Sequence, residues 1–331
     1  MIPVFRCIGM LRGDFGGAGP RGPAAGAIIA PVGKTHAALP QPTRRDWLSI
    51  LFLGVVWGGT FMVVEFALRG YGPVTVATAR VLLGALALGS LAFVMGRPLP
   101  AFDAQLWAHL VPIGLLGSAI PFCLLSWGQS HVPSAFAGLS MASVPLFVLP
   151  LAYMFGGETL NKNKAMGFGL GFVGTVILIG PDILAGDALI VPRMACIAAA
   201  LCYALASILT RRCPTIDPIT LSATSLAVGA VPLVPFMLLT EGMPTWQGDT
   251  PGAAIFFLGL VPTALAAYLR VSVIRSAGSG FMTLTSYQVP IWSVIFGVVI
   301  LAEQLPLRFF VALLLILAGL LLSQRRPRPS A

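Results

Sequence analysis

From Trp47 to Ser323 the sequence is a succession of apolar runs of membrane length, parted by short stretches of Gly, Pro and charge. A helix rising 1.5 Å per residue needs about 20 apolar residues to cross a hydrocarbon core of about 30 Å. The runs fall at 47–68, 73–95, 105–127, 133–155, 165–181, 194–210, 218–240, 252–269, 279–301 and 307–323. Turn-forming sequences separate them: Arg69-Gly70-Tyr71-Gly72-Pro73, Gly96-Arg97-Pro98, Asn161-Lys162-Asn163-Lys164, Gly180-Pro181-Asp182, Arg211-Arg212-Cys213-Pro214 and Glu241-Gly242-Met243-Pro244. Composition agrees, with 57% hydrophobic and 9% charged residues, against about 25% charged in a soluble domain. Too little charge is present to cover a water-facing surface, which excludes a soluble enzyme, a coiled coil and a disordered scaffold. The expected class is an all-α integral membrane protein of ten transmembrane helices lying in the bilayer.

Residues 1–44 read differently. Fourteen of these 44 are Gly or Pro and no helical or strand period runs through them, so a disordered tail is expected. No continuous apolar core with a small-residue cleavage site marks a signal peptide, and Met10 offers a second start. Gly17–Gly22 matches GxGxxG without a strand before it or a helix after it, a chance match. Gly169–Gly174 matches the same string inside an apolar run, where Gly167 and Gly171 form a small-residue packing face instead. The five cysteines (Cys7, Cys123, Cys196, Cys202, Cys213) have no CxxC or Cys/His spacing, so neither a disulfide framework nor a metal site is expected, and no cofactor.

Net charge is +9, and its distribution points to an orientation rather than to a nucleic-acid partner. With ten spans, the side that holds both termini collects 16 of the 20 Lys and Arg residues, Arg97, Lys162, Lys164, Arg211, Arg212, Arg270 and Arg275 among them, while Arg69, Arg193 and Arg308 fall on the other. Acidic residues divide evenly. The positive-inside rule then places both termini in the cytoplasm, in a cell (inner) membrane. An odd number of spans would put Arg325-Arg326-Pro327-Arg328 on the wrong side.

Sliding the chain on itself by 145 residues aligns its punctuation: Pro145 with Pro290, Glu158 with Glu303, Gly174 with Gly319, and Gly114-Leu115 with Gly259-Leu260. Residues 114–174 and 259–319 share 13 identities in 61 ungapped positions. The offset carries one span onto another five further on. Five is odd, so the repeats enter the membrane from opposite sides, with Glu158 on the cytoplasmic face and Glu303 on the outer one. Inverted repeats supply two interconvertible packings around a midplane cavity, as alternating access requires. The expected domains are the tail 1–44 and two five-helix repeats, 45–181 and 190–325.

The run Trp57-Gly58-Gly59-Thr60-Phe61, Arg80 in span two, and the paired patterns Pro145…Gly157-Glu158…Gly174 and Pro290…Glu303…Gly319 resemble the drug/metabolite transporter superfamily, specifically its EamA-type members. The resemblance covers about 47–323 and implies two inverted five-helix repeats and secondary transport of small metabolites. Two departures stand out: Ala302 precedes the second glutamate where Gly157 precedes the first, and Cys202-Tyr203 stands in span six where Trp57-Gly58 stands in span one.

Glu65 and Arg80 are the charges well inside spans, each costing about 2.5–3.5 kcal/mol if unpaired at mid-bilayer. They lie on neighbouring helices near one end, so two readings stand. They neutralise each other, or Glu65 snorkels out; alternatively they form a charged wall or proton-coupling element of the cavity. Glu158 and Glu303 are expected to bond the N-termini of the helices that follow them. Trp57, Trp127, Ser140, Ser143, Tyr203, Tyr268, Ser286, Tyr287, Gln288 and Trp292 are polar or aromatic where lipid offers no partner; each either lines the cavity or bonds a neighbouring helix. Ser143 and Gln288, equivalent under the repeat and just before Pro145 and Pro290, are the foremost of these, because a proline frees a backbone carbonyl one turn earlier.

The three histidines are isolated and no HExxH or GxSxG occurs, which disfavours a membrane-embedded enzyme; no charged ring or filter loop marks a channel. A sensor or scaffold without flux is the remaining rival. The expected function is alternating-access transport, with export favoured, of an amino acid or related amphipathic metabolite, with a coupling proton through Glu65, by a monomer or homodimer.

Overall fold

A computed structural model of the chain describes residues 41–156, 161–180 and 188–324. These form α-helices and two π-helical segments, without a strand among the described residues. The expected tail, apart from 41–44, lies outside the described residues, as do Glu158, Gly157 and the basic residues 325–328.

Ten helical crossings follow one another. They are α1 (Arg44–Leu68), α2 (Pro73–Val94), α3 and α4 (Ala104–Gly114 and Ile120–Gln129), α5 and α6 (Ser134–Met141 and Val144–Gly156) and α7 (Lys162–Ile179). The second five are α8 (Ile190–Arg212), α9 (Pro218–Thr240), α10 and α11 (Asp249–Leu258 and Ala266–Ala277), α12 and α13 (Ser279–Met282 and Thr285–Val299) and α14 (Leu307–Gln324). Among the described residues nine crossings are long and apolar enough to span a bilayer; α7, with Lys162 and Lys164 in its first turn, is the tenth.

Local chemistry sets the ends. Thr43 and Asp46 form a capping box on α1, the Thr43 N–H donating to Asp46 Oδ2 at 2.8 Å and the Asp46 N–H to Thr43 Oγ1 at 3.3 Å. Pro73 and Pro218, equivalent under the 145-residue offset, both open helices at a position where the missing N–H costs nothing. Gly278, at φ 87°, ends α11. The eighth crossing runs to Ala277 rather than stopping at residue 269, so Arg270 and Arg275 lie on helix instead of loop. Its 29 residues reach about 43 Å, and its last turns project beyond an average hydrocarbon core with their charges.

The repeat landmarks are equivalent in sequence and different in geometry. Pro145 is the second residue of α6, just after a break at Ala142–Ser143, whereas Pro290 lies inside α13 and the corresponding break falls earlier, at Thr283–Leu284.

Packing follows the duplication. α2 lies on α9 and α7 on α14, each helix against its own counterpart; α1 packs on α13 while α8 packs on α6, and α1 on the eighth crossing while α8 packs on the third. The α2–α9 pair is antiparallel, since Glu241 at the end of α9 meets the start of α2, and Arg97 beyond α2 meets Asp217 at the start of α9. The α7–α14 seam is built of glycine: a Cβ on Gly319 would stand 2.6 Å from the Gly167 carbonyl and 2.7 Å from the Gly171 nitrogen, and one on Gly167 would stand 2.5 Å from the Gly319 carbonyl. The close approach of two backbones is what Gly167 and Gly171 provide.

Candidate functional site

The two π-helical segments, Leu115–Ala119 in the third crossing and Gly259–Leu265 in the eighth, occupy equivalent places in the two repeats. In the second, Pro262 has no N–H to give to the Leu258 carbonyl one turn earlier. Thr263 takes its place, its hydroxyl donating to Leu258 O at 2.8 Å. The same Thr263 Oγ1 accepts from Arg80 Nε at 3.0 Å, and the Pro262 carbonyl accepts from Trp57 Nε1 at 3.1 Å. Gly84, one turn beyond Arg80, makes the approach possible, since a Cβ there would stand 2.6 Å from Thr263 Cγ2. The broken helix is thus sewn to α1 and α2 through its own polar defects.

Arg80 completes the arrangement by lying over the Phe122 ring, with its Cζ 3.9 Å from the centroid, a cation–π contact. Phe122 in turn faces Tyr203 with ring centroids 6.4 Å apart. Four crossings, two from each repeat, therefore surround one guanidinium. Its Nε is engaged, and its two terminal nitrogens have no hydrogen bond among the described residues. A planar cation so fixed presents a fork suited to a carboxylate.

A cavity of about 360 Å³ opens at one end of the bundle, lined by Met95, Arg97, Ile219, Tyr268, Val271, Ser272, Arg275 and Ser276. Its size lies within the range of about 300–1,000 Å³ of small-molecule sites. Tyr268, Val271 and Ile219 belong to the same apolar cluster as Phe122 and Tyr203, so the cavity floor and the Arg80 site are faces of one packed layer. At the cavity rim Asp217 Oδ2 meets Arg275 Nη2 at 3.2 Å and Arg97 Nη1 at 3.5 Å. Its other oxygen accepts from the Ile219 and Thr220 N–H groups at 2.9 and 3.2 Å. Burial pushes the Asp217 carboxyl up, but these N–H donors and the two guanidiniums outweigh burial and hold it below the usual carboxylate range. Beside them Ser276 donates to Asp46, tying α11 to α1.

The opposite end is closed by carboxylates on helix N-termini. Glu241 accepts from Val74 N–H at 2.9 Å and Thr75 N–H at 2.8 Å, at the start of α2. Glu303 accepts from Ser134 N–H at 2.7 Å and Ala135 N–H at 3.1 Å, at the start of α5. The expectation for Glu303 is corrected here: it bonds the first helix of the fourth crossing, in the other repeat, rather than α14, which follows it. Gly297 leaves room for it, a Cβ there lying 2.6 Å from Glu303 Oε2. Ala302, at φ 54°, holds the left-handed backbone that aims Glu303 inward.

Glu65 and Arg80 form no ion pair. α1 packs mainly on α13 and α2 mainly on α9; Arg80 faces the third and eighth crossings, while Glu65, half-buried, feels the charges of Arg69 and Glu303. Gln129 donates to the Phe61 carbonyl, one turn before Glu65, at 2.9 Å, and its Oε1 is buried without a partner.

Of the other sequence candidates, Trp57, Tyr203 and Tyr268 belong to the Arg80 site or the cavity. Trp127 does not: it is exposed and packs at a tilt of 48° against His131 with centroids 5.0 Å apart, placed as an aromatic anchor at a membrane interface is. Ser140 returns its hydroxyl to the Phe136 carbonyl at 2.9 Å, and Ser143 bonds Thr175 at 3.0 Å, both within the bundle. Gln288 bonds the Ile50 carbonyl at 3.4 Å and fills the space left by Gly54. Each is helix-to-helix or within-helix glue. Ser286 is half-buried and joins neither cavity nor Arg80 site. Thr263, Phe122, Asp217, Glu241 and Gln129 carry no flag of the kind that marked the others. Asp217 had one usable signal, an Asp directly before a Pro at the head of an apolar run.

Residues 44–180 and 193–324 match the EamA-like transporter family. An "Uncharacterized transporter" of Archaeoglobus fulgidus is 24% identical over 283 residues, covering 85% of this chain and 99% of that protein. A "Probable terminal-alkyne amino-acid exporter" of Streptantibioticus cattleyicolor is 26% identical over 294 residues, covering 86% of this chain and 94% of the relative. A solved crystal structure shares the fold with a TM-score of 0.62 at 20% identity, covering 85% of this chain and 97% of the other. The matched family covers both runs of five crossings and the Arg80 site between them: the chain belongs to the EamA-like transporter family, and it is a multi-pass membrane transporter rather than an enzyme.

Proposed function

We propose that this chain moves a small carboxylate-bearing metabolite, an amino acid or a related amphipathic compound, by alternating access between its two inverted repeats, 45–181 and 190–325, with Arg80 as the central anion anchor. The observation that carries this reading is the Arg80 guanidinium, fixed by Thr263 and Phe122 from opposite repeats with its terminal nitrogens unengaged. A carboxylate drawn to it would rearrange contacts on both repeats at once, which is how a bound ligand biases a two-state equilibrium. The relative from Streptantibioticus cattleyicolor supports amino acids as the first substrate class. The cavity at the Arg97 end and the closed carboxylate clamps at the other correspond to a state open to one side. The excess of Lys and Arg at that open end supports its assignment to the cytoplasm, with both termini.

A proton enters through Glu65. Protonated, it supplies a donor in the region where Gln129 Oε1 is buried without one. Gradient-driven uptake of radiolabelled amino acids into proteoliposomes tests both parts. Arg80→Gln is expected to lower flux at least tenfold with normal insertion, and flux at the wild-type rate would assign Arg80 to structure. Glu65→Gln is expected to remove the response to a pH gradient; if gradient-driven uptake persists in full, the proton has another route.

A further inference from the structure

We propose that the cavity at the Arg97 end is itself a binding vestibule for small carboxylates, in which the ligand's carboxylate and Asp217 compete for Arg97 and Arg275. The cavity lining carries two guanidiniums and no carboxylate of its own, with Asp217 at the rim and Asp46 behind Ser276. The Asp217 carboxylate is divided: Oδ1 is committed to the N-terminus of α9, and Oδ2 alone serves both arginines, at 3.2 and 3.5 Å. Arg97 Nε is buried with no partner, and the Ser272 hydroxyl on the cavity wall has none among the described residues. Two guanidiniums thus share one acceptor oxygen, and a bidentate carboxylate satisfies what Asp217 cannot. The remaining wall, Ile219, Val271, Met95 and the Tyr268 ring, is apolar and suits a carbon skeleton. A carboxylate seated there releases Asp217 Oδ2 from the ends of α2 and α11 and leaves the cap of α9 in place. This makes the vestibule the first of two anion sites on a path to Arg80; it rests on the transport reading for its role, and on the cavity alone for its binding.

The test uses benzoate as probe, with benzamide as its neutral isostere and inorganic phosphate as a second anion, titrated calorimetrically into the purified full-length protein in lipid-free detergent. Benzoate is expected to bind and benzamide to fail. Arg275→Gln and Arg97→Gln are each expected to weaken benzoate on the order of tenfold. Asp217→Asn, which preserves the helix cap, is expected to strengthen it several-fold by removing the internal competitor. Thermal melts check that each variant is folded; should Asp217→Asn fail to fold, the two arginine variants decide the matter. Equal binding of benzamide, indifference to Arg275→Gln, or phosphate binding as tightly as benzoate (an inorganic-anion or lipid-headgroup site) would overturn the proposal. Benzoate bound as expected by a protein that carries no carboxylate across proteoliposomes would leave the vestibule standing and remove the transport reading.

Discussion

At one end of the bundle Glu241 and Glu303 each turn both carboxylate oxygens onto two backbone N–H groups of a helix in the other repeat; at the other, Asp217 gives one oxygen to its own helix and shares the second between two arginines across a cavity. A carboxylate on a helix N-terminus is short, charge-assisted and directed along the dipole. An ion pair through long side chains with substantial exposure is weak and screened by salt. The contrast teaches which end is shut firmly and which is poised to move. The repeats have the same fold and the same number of helices, so the asymmetry between the ends comes from a few side chains in the loops and not from the architecture.

Breaking the firm end should have the largest effect. Glu303→Ala leaves two N–H groups of α5 without partners in a mostly buried place, at a cost of about 2–4 kcal/mol, read as a fall in melting temperature and as thiol labelling of a cysteine placed at Ser293. Glu241→Ala removes an equivalent pair of bonds nearer the surface and should cost about 1 kcal/mol. Ala302→Gly should do the reverse and stabilise by up to about 1 kcal/mol, since it relieves a left-handed backbone carried by a residue with a Cβ. At the arginine end, raising NaCl from about 0.1 to 0.5 M shortens the screening length from about 10 to about 4 Å, which should loosen the Arg97–Asp217–Arg275 contacts measurably and leave the glutamate clamps unchanged, as read by spin-label distances at each end. The smallest effect concerns pH. Because Asp217 is held below the usual carboxylate range, its contribution is complete above the ordinary Asp value of about 3.9 and is lost only as pH falls through the lower folded-state value. Between pH 5 and 8 the arginine end should not titrate through Asp217, so a flux profile that bends in that window in wild type and is flat in Glu65→Gln sharpens the division of roles.

Much of the scaffold was legible because it follows from local rules: run length marks the crossings, Pro73 and Pro218 mark helix starts, and the Gly167/Gly171 spacing marks a close helix seam. The site was legible only in part. Hydropathy says that Ser143, Gln288, Trp57 and Tyr203 need partners, but whether a partner is a neighbouring helix or a ligand depends on the rotation of each helix about its axis, which no single-chain period encodes. Ser143 and Gln288 turned to neighbours; Tyr203 turned to the Arg80 layer. Glu303 was recognisable as a capping group, yet its target, 169 residues away in sequence, exists only once the repeats are interlocked. The departure Ala302 for Gly was visible in the sequence, and its backbone cost was not.

Alternating access requires the firm end to open during each cycle, and this is the claim most open to direct attack. Gly70, between α1 and α2, lies against Gln247, between α9 and α10, so close that a Cβ on Gly70 would stand 2.8 Å from that of Gln247; a small shift of these loops reaches disulfide geometry of about 3.8 Å between Cβ atoms. In a background lacking the native cysteines, the Gly70→Cys/Gln247→Cys protein should carry substrate when reduced, fall to background flux when oxidised, and recover on adding dithiothreitol. Undiminished flux through the fully oxidised, cross-linked protein would contradict the account.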